Sequence, residues 1–423
     1  MISDVLDTRV LTRGRSATGH PLHRPRVDIS LTAFGQDLLL ELELFTDLIH
    51  PDYHVIYGGP EDPTADVAYG LEHCFYRGRV NGMENSWLAV HTCGGAMEGV
   101  VYLGPDGVPV NPGDKDAGDE GLSLHITSTK TRSQRAAGEP AQHLVYRSQD
   151  IAGEKPVFEC GAGDDHNLHA TSDAHSQAIA GTADDTHSRA RHSKPNKYIN
   201  LLAVNDYTRV TALTPAGVQS DTINLVNIVA QKYQGASGNL TNGNLIVRLL
   251  GQYIPTAEIF LPDDTEPDVN DMLTDFCAWR SQQLGTPGNT ALQLNNNAQL
   301  LSGRIFTSDG STGVAGIGYI GSMCDQMYSC GVAQALLGVD DYFSADTLAH
   351  EIGHNLNAQH DDVMNTCAPG GFIMQAVACA NCGFFASEFS SCSTTYFDDF
   401  LPTLTCLNND PTASGARSIR SNG

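Results

Sequence analysis

Basic residues are scarce in this chain: 24 Lys and Arg stand against 49 Asp and Glu in 423 residues, a formal charge of −25. Nucleic acid and anionic membrane surfaces are bound through basic patches, so both are disfavoured as partners. Long apolar runs are missing too. No stretch of about 18 apolar residues occurs, which leaves no candidate transmembrane helix. The first thirty residues carry charges throughout and lack the apolar centre of a signal peptide, so no export route is written in them.

What is present is a folding composition. Hydrophobic residues make up 41% of the chain, and the length suits two to three domains, each with its own core. Eleven cysteines and the sequon Asn239-Leu240-Thr241 point to an oxidising compartment, hence to a secreted, extracellular protein. Because eleven is odd, complete pairing leaves one thiol over.

The most informative stretch is residues 350–361, HEIGHNLNAQHD. On a helix His350 and His354 lie one turn apart on one face, so both imidazoles reach a single cation. For His360 to join them the chain must turn sharply after His354. Asn357 stands where the turn is needed, and Asn tolerates positive φ better than any residue except Gly. Three neutral nitrogens leave the fourth position of a zinc ion open for water, the pattern of a catalytic rather than a closed structural site. Glu351 is the one residue of the motif suited to take a proton from that water and hand it to a leaving amine. The third histidine at this spacing weighs against a chance array on a surface helix.

Fourteen residues after His360, Gly370-Gly371-Phe372-Ile373-Met374 suits a turn that brings a methionine beneath the metal. Together with HExxHxxNxxHD it resembles the Met-turn of the metzincin zinc endopeptidases. Asp361 after the third histidine resembles the adamalysin (reprolysin) group in particular: ADAM-type proteases, snake-venom metalloproteases and their thrombospondin-repeat relatives. Asn357 in place of Gly is similar to the thrombospondin-repeat branch. The resemblance implies an α/β (α+β) catalytic domain with a mixed, mostly parallel sheet and a long active-site helix. It also implies one catalytic zinc on His350, His354 and His360, Glu351 as general base, Met374 as the Met-turn methionine, and protein or peptide substrates in the extracellular matrix or at cell surfaces.

Upstream, residues 28–103 alternate apolar and polar positions in short runs and read as an antiparallel β region. The stretch His73-Cys74-Phe75-Tyr76-Arg77-Gly78-Arg79-Val80, continuing through Ser86 and Ala89 to His91-Thr92-Cys93-Gly94-Gly95, resembles the reprolysin propeptide, as do residues 33–38. Cys74 and Cys93 are expected to pair, two buried thiols being the alternative. Residues 104–135, rich in Gly, Asp, Pro and Lys, suggest a loop insertion, and residues 142–146 a closing strand. Lys155-Pro156-Val157-Phe158-Glu159-Cys160-Gly161 then resembles the cysteine switch of metzincin zymogens, a thiolate filling the open zinc position. The basic residue often found in that context is missing here. Residues 162–192 contain five histidines among Asp, Ala, Ser and Thr and read as a solvated linker rather than a second metal tract. The linker ends at Ser188-Arg189-Ala190-Arg191, a site for an activating protease near Arg191. The expected layout is a β-rich propeptide domain over 1–160, a linker over 161–192, a protease domain over 193–411 and a tail over 412–423.

The protease part opens with an apolar run at residues 197–206 that resembles the family's first strand. A helix near 220–233, a strand at 245–250, a helix at 271–283 and a strand after Asn296 follow, an alternation that implies a mixed sheet. Gly316-Ile317-Gly318-Tyr319-Ile320-Gly321 resembles the family's substrate-facing edge strand, which pairs with an extended peptide through its backbone; an interior strand is the alternative. Ser344-Ala345-Asp346-Thr347 reads as the cap of the active-site helix. The resemblance implies disulfides Cys324 to Cys406, Cys277 to Cys330 and Cys367 to Cys392, with Cys379 and Cys382 remaining as a local pair and Cys160 left over. Calcium (Ca2+) is expected to bind weakly or not at all. Where many members carry a Glu and an Asp, this chain has Asn200 and Asn296, and calcium sites depend on carboxylate charge; Asn409 and the Cys406 backbone are what remains. A catalytically silent adhesion or decoy module with the same fold is the alternative function, against which the retention of Glu351 and all three histidines weighs.

Overall fold

A computed structural model describes residues 2–5, 12–15, 21–59, 62–67, 72–104, 122–129, 141–150, 157–161, 194–261, 264–284, 290–336, 341–379 and 386–408. The expected pairing of Cys379 with Cys382, the processing site near Arg191, Asn409 and the 412–423 tail lie outside the described residues. So does most of the linker.

The N-terminal third builds an eight-stranded antiparallel sheet from Ile2–Val5, Gln142–Arg147, Ser123–Ser128, Glu98–Tyr102, Trp87–His91, Phe75–Val80, Gln36–Leu44 and Arg26–Ala33, in that spatial order. Its side chains alternate as the period of a strand requires. Leu31, Leu40, Leu42, Tyr76, Leu88 and Val90 fill a core on one face. Phe75, Ala89 and Val100 belong to the main core of the protease part. A disulfide joins Cys74 to Cys93. The strand Ser123–Ser128 lies inside the stretch expected to be a loop; polar and Gly-rich flanks masked its short Leu-His-Ile core.

The protease sheet is mixed, with parallel strands Asn244–Pro255, Asn196–Asn205, Asn297–Ser302 and Cys330–Gln334 side by side and Ser311–Gly318 antiparallel beyond them. Helix α1 (Tyr207–Ser237) is capped by Asp206, whose side chain accepts from the Arg209 N–H, and is interrupted at Thr214 (φ 67°) before Pro215. It runs well beyond the expected 220–233. Helices α2 (Val269–Leu284), α3 (Thr290–Leu294), α4 (Asp341–Asn355) and α5 (Ser391–Phe400) complete the part. The main core includes α1 and α4 residues such as Val226, Tyr233, Leu348 and Ile352, and a second core includes Met272 and Phe276 of α2 with Leu300 and Val332 of the sheet. Disulfides tie Cys277 to Cys330, Cys324 to Cys406 and Cys367 to Cys392. Cys160 lies outside the disulfides of the described residues.

Two further features depart from the expected layout. The active-site helix α4 begins at Asp341, so residues 344–347 are inside it rather than capping it. The Thr347 hydroxyl donates to the Phe343 carbonyl one turn back. The second departure is that the protease sheet does not end with protease strands. Ile49–Gly59 pairs in parallel with Asn244–Pro255 and is itself covered by Asp62–Val67, while Val157–Cys160 extends the sheet past Ser311–Gly318. Alternation in the sequence reports that a strand has a buried face, not which sheet it joins.

Candidate metal centre

The site forms where helix α4 ends. His350 and His354, one turn apart, present Nε2 atoms 3.0 Å from each other, and His360 Nε2 lies 3.2 Å from each of them. The reversal that brings His360 back is made at Asn357, whose φ is 75°. Its N–H bonds to the His354 carbonyl at 2.8 Å, closing the last turn of the helix.

The donor set fits a cation. His350 Nδ1 is 2.6 Å from the Ile373 carbonyl and His354 Nδ1 is 2.8 Å from the Ala358 carbonyl. A carbonyl only accepts, so both rings carry their proton on Nδ1 and turn a bare Nε2 lone pair to the centre. Lone pairs aimed at one point repel unless something positive lies between them. Tetrahedral zinc with Zn–N of 2.0–2.1 Å separates its nitrogens by about 3.3 Å, close to the spacing seen. Burial holds the rings neutral as ligands must be: it takes the His350 pKa down to about 3, helped by the neighbouring His360, and the His360 pKa down to about 4. Cys160 Sγ completes the group, with all four ligand atoms within 4.8 Å of one another.

Glu351 is 1% exposed on the same helix. Burial raises its carboxyl well above the ordinary range, and the Cys160 thiol, 3.6 Å from Oε1, opposes this by donating to the charged form. Gly316 is what lets the neighbouring strand pass so close. A Cβ there would lie 2.6 Å from Glu351 Oε1 and 2.7 Å from the Val332 carbonyl. Ile317 is fully buried beside it, Gly318 ends the strand, and Tyr319 follows in the turn with its ring against Tyr328.

Met374 is fully buried beneath the site, and its carbonyl accepts from the Asp361 N–H at 2.8 Å, which locks the histidine loop to the methionine turn. Asp361 Oδ1 in turn accepts from Ser390 at 2.6 Å, tying both to the start of α5. Away from the centre, Asn296 spends both ends of its amide on the backbone, Oδ1 on the Asn200 N–H and Nδ2 on the Tyr198 carbonyl. Neither position supplies carboxylate charge to a calcium ion.

Sequence reasoning missed how the propeptide enters the cleft. Val157–Cys160 lies between Ser311–Gly318, to which it runs parallel, and Val377–Cys379, to which it runs antiparallel. Phe158 is on the same strand face as Cys160 and packs its ring 5.2 Å from Phe343 of α4. Trp87 of the propeptide sheet stacks on Tyr342, and Lys232 of α1 sits 4.0 Å from the Tyr342 ring while bonding Asp346. No local signal marks these partners, which are brought together from distant parts of the chain.

Three convergent imidazoles on a helix and its turn, a carboxylate beside them and a methionine beneath define a zinc metalloprotease domain of the metzincin class. Residues 197–411 match the model of the "Reprolysin (M12B) family zinc metalloprotease", and residues 3–81 that of the "Reprolysin family propeptide". The chain belongs to the reprolysin family, the metal that this family implies is zinc, and the histidine cluster could hold it. It is 25% identical to human "A disintegrin and metalloproteinase with thrombospondin motifs 6" over 90% of its own length and 34% of that protein's. It is 27% identical to mouse "Disintegrin and metalloproteinase domain-containing protein 19" over 94% of its own length and 39% of that protein's. The chain thus spans little more than a third of the curated relatives it matches.

Proposed function

We propose that this chain is the zymogen of a zinc endopeptidase that hydrolyses peptide bonds of extracellular proteins. The observation that carries the reading is the convergence of three histidine Nε2 atoms and the Cys160 thiol on one point, with the Glu351 carboxylate beside that thiol. His350, His354 and His360 would hold a zinc ion, which would supply polarisation of the scissile carbonyl and lower the pKa of a water toward ~7. Glu351 takes the proton of the attacking water and passes it to the leaving nitrogen. The backbone of Gly316, Ile317 and Gly318 aligns an extended substrate, and Met374 supports the histidines from below.

Cys160 is the latency ligand. With zinc bound, its thiolate would take the position that water needs, and the strand that carries it occupies the backbone groups on which a substrate would pair. Cutting the linker near Arg191 releases it. The disulfides and the sequon support an extracellular setting, and no helix among the described residues is long and apolar enough to cross a membrane.

The test uses the zinc-loaded full chain, cut in the linker with trypsin that is then inhibited, and denatured casein as substrate. Wild-type protein is expected to cleave; Glu351→Ala, folded and zinc-replete, and a chelated sample are expected not to. Casein left intact by correctly folded, zinc-bound wild type would overturn the peptidase reading in favour of a binding module.

A further inference from the structure

The edge of the protease sheet opposite the cleft carries a strand it does not own. Propeptide residues Ile49–Gly59 run in parallel with Asn244–Pro255, with Gly251 facing His54, Gln252 facing Val55 and Tyr253 facing Ile56. The contact is chemically specific. Arg248, 4% exposed in its side chain and lying 4.0 Å over the Tyr198 ring, donates to Asp47 at 3.1 Å. The Leu249 N–H donates to the Leu48 carbonyl, and Gln252 Nε2 donates to the Tyr53 hydroxyl at 2.9 Å. Val55 and Ile56 point to opposite faces of the sheet and join the two protease cores, Val55 with α1 and Ile56 with α2.

Removing the propeptide would leave this edge open. Asn244–Pro255 is twelve residues long and carries Leu245, Val247, Leu249, Leu250 and Ile254. The register breaks between Leu249 and Gly251, and Arg248 places a buried charge on the strand, yet a propeptide strand pairs along it, so this edge accepts a strand that matches those two features. It would also leave the Arg248 guanidinium, set in a buried position, without the carboxylate that it now binds.

The geometry points to a second, non-catalytic strand-binding site on the mature enzyme, at Asn244–Pro255, that recruits protein substrates. Its ligand is an extended segment with an acidic residue that reaches Arg248, a tyrosine six positions later for Gln252, and consecutive β-branched residues two and three positions beyond that. Propeptide residues 47–56 hold the site until activation. The inference rests on release of the propeptide, which the proposed function includes, but strand binding there does not require peptidase activity.

The linker-cut full chain, separated from its propeptide, is titrated with a fluorescent peptide of residues 46–59, using Glu351→Ala protein so that nothing is digested. Saturable binding is expected, undisturbed by an excess of a cleft-directed peptide of residues 155–161. Arg248→Glu is expected to weaken it by about tenfold or more, and an Asp47→Arg peptide to recover most of the loss. Should Arg248→Glu fail to fold, the peptide changes Asp47→Ala and Tyr53→Phe on unaltered protein must each weaken binding. Absence of binding, displacement by the cleft peptide, or indifference to Asp47 and Tyr53 would overturn the proposal. Catalysis is read separately: a casein assay that fails while the peptide binds sinks the peptidase reading and the word substrate, and leaves the site standing.

Discussion

Gly353, in the middle of the motif helix, lies against Met374: a Cβ built on it would meet the methionine sulfur at 2.6 Å. The helix that carries two histidines and the turn that supports them are therefore fitted at a point where an added side chain forces the methionine to shift. Gly353→Ala should overpack this contact and cost about 1–3 kcal/mol. Thermal melting of the zinc-loaded protein would register it. A melting point equal to that of wild type would mean that the methionine turn yields freely.

Gly316 makes the matching demand on the other side of Glu351. In Gly316→Ala the new methyl group can only be housed by displacing the carboxylate or the strand. The expected result is a fall in kcat of about a hundredfold with zinc content unchanged, since a small misplacement of a catalytic group is that costly. Loss of zinc instead would show that the strand positions the metal and not the base.

Cys160 is expected to be a metal ligand in the uncut chain. With cobalt in place of zinc, the zymogen should show thiolate-to-metal charge-transfer absorption, and Cys160→Ser should abolish it while the three histidines keep the cobalt bound. A spectrum unaltered by the substitution would reduce Cys160 to a bystander.

His91, on the propeptide sheet with its ring 5.9 Å from that of Phe75, is expected to make the propeptide sensitive to acid. Burial lowers its pKa from 6.5 to about 4, against a weaker opposite pull from Glu72. Well above pH 6.5 the ring is neutral whether folded or not. Below that, the unfolded chain takes up a proton that the folded one refuses, so stability falls by about 1.4 kcal/mol per pH unit until the folded pKa is reached and then levels. Urea unfolding between pH 7 and pH 4 measures the slope, and His91→Gln should flatten it. An unchanged slope would put the acid sensitivity elsewhere.

What was legible in the sequence was whatever has a period or a fixed spacing. His350 and His354 four apart, Asn357 at the reversal and glycines ahead of Met374 are local facts, and local geometry carried them into one place. The alternating apolar positions of Arg26–Ala33 and Gln36–Leu44 likewise gave their hairpin. What was not legible depends on partners far along the chain. Residues 49–59 do not alternate strictly, with Val55-Ile56-Tyr57 apolar in a row, but nothing local names the other sheet that they join, and nothing near Trp87 announces that it will stack on Tyr342. The start of α4 was misplaced for a different reason: Ser344 and Thr347 have the side chains of caps, but inside a helix such hydroxyls can bond back to the preceding turn, as Thr347 does.

The strand Ile49–Gly59 and its partner Asn244–Pro255 are about two hundred residues apart. At a synthesis rate of roughly 5–20 residues per second, the first waits some ten to forty seconds, at the order-of-magnitude level, for the second to be made. During that interval Val55 and Ile56 lack the protease residues that complete their two cores. The sheet that holds the zinc helix is thus closed late, by contacts of long sequence separation, and folding of this chain should be slow for a reason of topology rather than of stability.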